Sequence, residues 1–196
     1  IEALKKAIPQ FYGNDASKEE GYGRIINEKQ FNRIVQYLSD GTIVYGGKYD
    51  AASLYIEPTI LDGVSVDSTI MRDEIFGPLL PILSFNTMEE AKAIIAKNPN
   101  PLAFYIFTGS SAKEQAWLQA VPAGGACVKT ATLHLTNPNL PFGGRGFSGT
   151  GAYHGKYSFE TFSHKKAVMK TPTWFDPALK YPPFTGKLKL LKWLVG

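Results

Sequence analysis

Apolar residues recur at helical spacing from the start of the chain. Ile1, Leu4, Ile8 and Phe11 follow one stripe, and Gly13 breaks it. No capping residue precedes this stripe, so the expectation is a chain cut from a longer protein or one with a processed terminus. A second stripe, Phe31, Ile34, Val35 and Leu38, follows the start signal Asn27-x-x-Gln30 and is closed by Gly41. Short β-like runs come next at Thr42–Tyr45 and Leu54–Ile56, bounded by Gly46-Gly47 and Pro58.

Between residues 79 and 130 the pattern alternates. Leu79–Phe85 predicts a buried strand. Thr87-x-x-Glu90 predicts a capped helix with Met88, Ala91, Ile94 and Ile95 on its face. Leu102–Phe107 predicts a second strand, and Ser111-x-x-Glu114 opens a helix carrying Trp117, Leu118 and Val121. A third strand begins at Ala126–Val128. Strand, helix, strand, helix, strand at this spacing implies parallel βαβ units, hence an α/β fold with a parallel sheet and flanking helices. From Asn137 the texture becomes loop-like and glycine-rich. A short polar helix is expected near Lys156–Phe162, and then an exposed, charged strand at Lys165–Thr171. The chain thus divides into a body (1–137), a glycine-rich connection and arm (138–172) and a tail (173–196).

Composition narrows the function classes. The chain has 196 residues, 44% of them hydrophobic, which is enough for a packed core. No stretch approaches the roughly 20 apolar residues that span a bilayer, and no secretory signal is evident. One cysteine excludes an intrachain disulfide and is compatible with a reducing cytoplasm. The net charge of +4 is uneven: residues 163–196 carry seven Lys against Asp176 alone, whereas the rest is slightly acidic. A basic tail without a folded basic face or motif points away from nucleic acid.

Three features could carry chemistry. Cys127 lies in an apolar Gly-Ala-Cys-Val strand without a sign of an activating base, and reads as a buried structural thiol. His134, His154 and His164 match no metal-ligand spacing. Gly144-x-Gly146-x-x-Gly149 follows a proline-rich loop instead of a strand, which rejects it as a phosphate cradle. More specific is Asp73-Glu74-Ile75-Phe76-Gly77-Pro78, which sets a carboxylate and a ring on a turn leading into a strand. A carboxylate there can accept hydrogen bonds from sugar hydroxyls.

Taken together, these segments resemble the aldehyde dehydrogenase family, and its class 3 (fatty aldehyde dehydrogenase-like) branch most closely. The resemblance is carried by Tyr22-Gly23-Arg24-Ile25-Ile26-Asn27, Glu74-Ile75-Phe76-Gly77-Pro78, Pro101-Leu102-Ala103-Phe104-Tyr105 and Leu140-Pro141-Phe142-Gly143-Gly144. It continues through Ser148-Gly149-x-Gly151, Tyr153-His154-Gly155-Lys156, Ser158–His164 and Tyr181-Pro182-Pro183, in the family's order. The resemblance implies the C-terminal part of a catalytic domain that oxidises aldehydes, apolar ones in particular, to carboxylic acids with NAD or NADP. The reaction would run through a cysteine thiohemiacetal. It places Glu74 at the nicotinamide-side ribose and Phe76 beside that ribose and ring, and sets Phe142 and His154 at the border of the aldehyde pocket. It makes Lys165–Lys170 an oligomerisation arm, hence a homodimer.

The resemblance also implies that the nucleophile lies upstream, in a Gly-Gln-x-Cys-like motif, so this chain holds no catalytic residue and is expected to be inactive alone. Val128-Lys129-Thr130 departs from the family's usual Val-Asn-Asp, which leaves a non-catalytic interaction or dimerisation module as the alternative. The tail Lys187–Val195 reads as a basic amphipathic helix. It could touch an anionic membrane surface weakly, which would make a cytoplasmic protein membrane-associated, or it could pack on its own domain.

Overall fold

The computed structural model describes residues 1–195. The first helix, α1 (Glu2–Tyr12), starts without a side-chain cap at Ile1 and stops at Gly13, whose φ of 67° suits a residue without a Cβ. In α2 (Glu28–Gln36) the Asn27 side chain accepts the Gln30 amide at 2.9 Å, as the start signal implies. Phe31 and Ile34 of this helix are buried, and Tyr37 follows them inward on a 3₁₀ turn. They form the main core with Ile56, Leu61, Val64, Ile70 and Leu79.

Strands β1 (Thr42–Tyr45), β2 (Tyr49–Asp50), β3 (Tyr55–Ile56), β4 (Thr59–Asp62) and β5 (Leu79–Pro81) follow. One sheet has the order β1-β4-β5, with β4 antiparallel to β1 and parallel to β5; β2 and β3 pair separately. The buried strand expected over Leu79–Phe85 ends early. Pro81 has no N–H to donate, and after the Ile82 amide reaches the Leu61 carbonyl at 2.8 Å the chain leaves the sheet.

Thr87 caps α3 (Met88–Ala96) by accepting the Glu90 amide at 3.1 Å, while the Glu90 carboxylate turns back to the Asn86 amide at 2.9 Å. Then come β6 (Ala103–Ile106), α4 (Ser111–Ala120) and β7 (Gly125–Val128). β6 and β7 are parallel, in register from Ala103↔Gly125 to Ile106↔Val128, and α4 is their crossover. This is the expected βαβ unit. The cap of α4 lies one residue earlier than Ser111: Ser110 accepts the Lys113 amide at 3.3 Å. Trp117 covers β6 through Phe104, ring centroids 6.1 Å apart, and Phe85 closes over it at 6.5 Å.

The fold is mixed α/β, with parallel ladders at β4–β5 and β6–β7. Among the described residues no ladder joins β5 to β6, so the parallel strands stand in two sheets instead of one.

Beyond β7 the chain makes a 3₁₀ turn (Leu133–Thr136) and a loop closed by an antiparallel bridge, Phe142↔Tyr153. It then forms α5 (Gly155–Thr161), where the short helix was expected. The strand expected at Lys165–Thr171 does not form: residues 164–171 are exposed and carry no regular secondary structure. They form no ladder among the described residues, because a lone strand finds no partner for its backbone groups within this chain. The tail ends in α6 (Leu188–Val195).

Candidate active site

Glu74 and Phe76 share one turn ahead of β5. Phe76 adopts φ 46°, a left-handed conformation that costs a non-glycine residue ~1 kcal/mol, and its ring is 80% exposed. The turn is backed by α2. A Cβ on Gly77 would lie 2.7 Å from Cδ1 of Ile34, so only glycine lets the turn sit this close to the core. Arg33 of α2 donates to the carbonyls of Glu74 and Ile75. With the backbone turned inward, the Glu74 side chain is exposed beside a cleft of about 700 Å³, lined by Arg72, Asp73, Asn98, Asn100 and Phe147 among others. Five polar or acidic side chains against one cation, Arg72, suit sugar hydroxyls better than phosphates.

Phe142 and His154 come together elsewhere. Their rings stack at 6.1 Å with an interplanar angle of 27°, and Tyr153 meets both edge-on, 5.4 Å from Phe142 and 4.5 Å from His154. Strain recurs here: His154 has φ 92° and precedes α5, and its Nδ1 lies 3.2 Å from the Leu140 carbonyl. Behind Phe142, at 5.6 Å, sits the His134 ring, which also faces Tyr105 of β6 at 5.8 Å. This gives an apolar, aromatic-walled corner against the β6–β7 unit.

The two pairs do not touch each other. The glycine loop spans the gap: Phe142 and Gly143 stand at the aromatic corner, and Phe147 and Ser148 line the Glu74 cleft. Gly144 packs against the Ser148 carbonyl, leaving no room for a side chain. The 3₁₀ turn at Gly146–Ser148 forms inside this run, so it is folded as a strap and not as a strand-to-helix phosphate loop.

Sequence reading missed two features. Cys127 is buried, but it has a partner: its Sγ lies 3.3 Å from Nδ1 of His134, which folds back over Gly125 on the 3₁₀ turn. Arg33 gave no signal of its own, since the carbonyls it binds are 41 and 42 positions away. Among the described residues, no group of three or more His, Cys, Asp or Glu side chains assembles as a metal site, and no helix is long and apolar enough to cross a membrane.

Comparison with known proteins gives the family. Residues 1–168 match the model of the aldehyde dehydrogenase family. The 4,4'-diaponeurosporen-aldehyde dehydrogenase of Staphylococcus aureus (strain NCTC 8325 / PS 47) is 43% identical over 194 residues, covering 98% of this chain and 42% of that protein. Aldehyde dehydrogenase family 3 member H1 of Arabidopsis thaliana is 46% identical over 200 residues, covering 100% of this chain and 41% of that protein. The structure of substrate-bound Staphylococcus aureus AldH superposes with a TM-score of 0.86 at 42% identity, over 100% of this chain and 43% of the other. An aldehyde dehydrogenase of Bacillus cereus in complex with NAD+ gives a TM-score of 0.69 at 26% identity, over 83% of this chain and 35% of the other. The chain therefore spans about two fifths of the length of the curated relatives it matches. With the family model spanning residues 1–168 and the class 3 relatives aligned over nearly its whole length, this chain belongs to the aldehyde dehydrogenase family, in its class 3 branch.

Proposed function

We propose that this chain is the C-terminal part of an NAD(P)-dependent dehydrogenase that oxidises apolar aldehydes to carboxylic acids. The observation that carries this reading is the Glu74–Phe76 turn, which holds a carboxylate and a ring side by side at the edge of an open polar cleft. Those residues fit a nicotinamide riboside: Glu74 accepts from the ribose hydroxyls and Phe76 packs on the sugar and ring. The dinucleotide supplies the acceptor for the hydride that leaves the aldehyde carbon.

Phe142 and His154 border the aldehyde, and the aromatic wall favours an apolar chain over a polar one. The thiolate that attacks the carbonyl to give a thiohemiacetal comes from a cysteine upstream of this chain. Cys127 is not that nucleophile, because it is buried in β7 against His134. The chain alone is inactive.

The exposed segment Lys165–Lys170 joins no ladder among the described residues, and Val168 and Met169 are exposed. Both features suit strand addition to a second copy in a homodimer. In the tail, Lys189 and Lys192 share one side of α6, while Leu190 and Trp193 are exposed on another. Such a helix supports weak, reversible contact of a cytoplasmic enzyme with an anionic membrane surface. Lys129-Thr130 in place of Asn-Asp favours a second reading, a non-catalytic dimerisation module.

Aldehyde-dependent NADH production decides between them. It should be absent for the chain alone and present for the complete protein. Glu74→Gln should weaken NADH binding to the complete protein about tenfold or more, since hydrogen bonds to a charged acceptor contribute ~1.5 kcal/mol or above. Turnover by the chain alone, or an unchanged affinity in Glu74→Gln, would defeat the proposal. An inactive complete protein that still forms dimers would favour the module.

A further inference from the structure

We infer that Arg33 is a positioning residue for dinucleotide binding, acting through the backbone of the Glu74–Phe76 turn without touching the ligand. The inference rests on the cofactor role proposed for that turn. Nη2 of Arg33 donates to the Ile75 carbonyl at 2.8 Å and Nη1 to the Glu74 carbonyl at 3.3 Å. The same guanidinium is fixed on its own helix: Nε donates to Oε1 of Gln30 at 2.7 Å, and Nη1 to the hydroxyl of Tyr37 at 2.8 Å. Its carbon lies 5.4 Å from the centroid of the Tyr37 ring, and Tyr37 itself is part of the core.

Two consecutive carbonyls that face the same way repel each other unless a cation stands before them. A planar fork with several N–H groups meets both at once, which a lysine ammonium cannot do with the same geometry. Fixing those carbonyls toward α2 decides where the side chains go. Glu74 is left facing the cleft, and the chain enters the left-handed conformation at Phe76. Gly77 against Ile34 clamps the other end of the turn, so Arg33 and Ile34, neighbours on α2, hold it at two points. Without the guanidinium, Glu74 and Phe76 would sample many orientations, and the ligand would have to order them on binding.

The test is NADH binding to the complete protein, followed by NADH fluorescence, with AMP, which lacks the nicotinamide ribose, titrated in parallel. Arg33→Gln should weaken NADH about tenfold and leave AMP unchanged, and Arg33→Lys should recover part of the loss. Unchanged NADH affinity in Arg33→Gln, or an equal loss for NADH and AMP, would overturn the inference. Glu74→Gln separates the two levels. If it weakens NADH and Arg33→Gln does not, only the inference fails; if it leaves NADH unchanged, the cofactor reading fails and the inference with it.

Discussion

The Sγ of Cys127 lies 3.3 Å from Nδ1 of His134, and both side chains are buried, at 7% and 8% exposure. Tyr105 and Phe142 cover the imidazole, and its Nε2 has no hydrogen-bond partner among the described residues. The pair is thus a joint that ties β7 to the loop carrying Phe142. A thiol reagent should label Cys127 slowly in the native chain and at once in denaturant. Cys127→Ala should destabilise by about 2 kcal/mol, since it opens a small void and leaves a second imidazole nitrogen without a partner. Fast native labelling would show that the site is open.

The cap of α4 offers a test one residue wide. Ser110 accepts the Lys113 amide, so Ser110→Ala should cost about 1 kcal/mol in denaturant unfolding, whereas Ser111→Ala, inside the first turn, should cost a few tenths at most. Equal effects would return the cap to Ser111.

Lys129 adopts φ 59° at the end of β7, a conformation that asparagine tolerates and lysine does not favour. Lys129→Asn should therefore stabilise the chain by about 0.5–1 kcal/mol by relieving backbone strain. A loss of stability would mean that the lysine side chain makes a compensating contact.

Tyr22 predicts an alkaline limit. Burial, helped by the neighbouring Tyr55 and Tyr12, pushes its phenol well above the usual value, and its hydroxyl donates to the Ile56 carbonyl at 2.7 Å. A folded value above the unfolded one means that the contribution is complete below about pH 10 and is lost as pH rises through the folded value. Tyr22→Phe should cost about 1 kcal/mol at neutral pH through the lost hydrogen bond, and should make the decline above pH 10 shallower. Burial also raises the Tyr55 phenol, so part of the decline should remain. An identical alkaline limb in the variant would remove Tyr22 from the account.

Much of the local structure could be read in advance because its causes are local. Asn27 and Thr87 reach amides three residues ahead, and the apolar stripes of α2 and α3 follow from the helical repeat. The β6–α4–β7 unit was visible for the same reason. The strand expected over Leu79–Phe85 is only three residues long, and nothing in its hydrophobicity says so; Pro81 is the one mark of its end. Ser110 and Ser111 are the same residue type side by side, so pattern alone could not choose between them.

The candidate site divides along the same line. The motifs holding Glu74, Phe76, Phe142 and His154 could be picked out from the order of residues, because glycine, proline and aromatic residues at those spacings mark turns and a family pattern. The stacking of Phe142 on His154 required the bridge between Phe142 and Tyr153, and the contact of Cys127 with His134 required a turn that folds back over Gly125. Sequence by itself determined the helix starts to within a residue, the strand-and-helix alternation and the residue types offered to the site, since these depend on neighbours within a turn or two. Tertiary structure alone decided that β1 pairs antiparallel with β4, that β5 and β6 stand apart, and that Arg33 holds a turn some forty residues away. Such contacts form only when distant segments are packed on one core, where burial outweighs the entropy of closing the intervening loop.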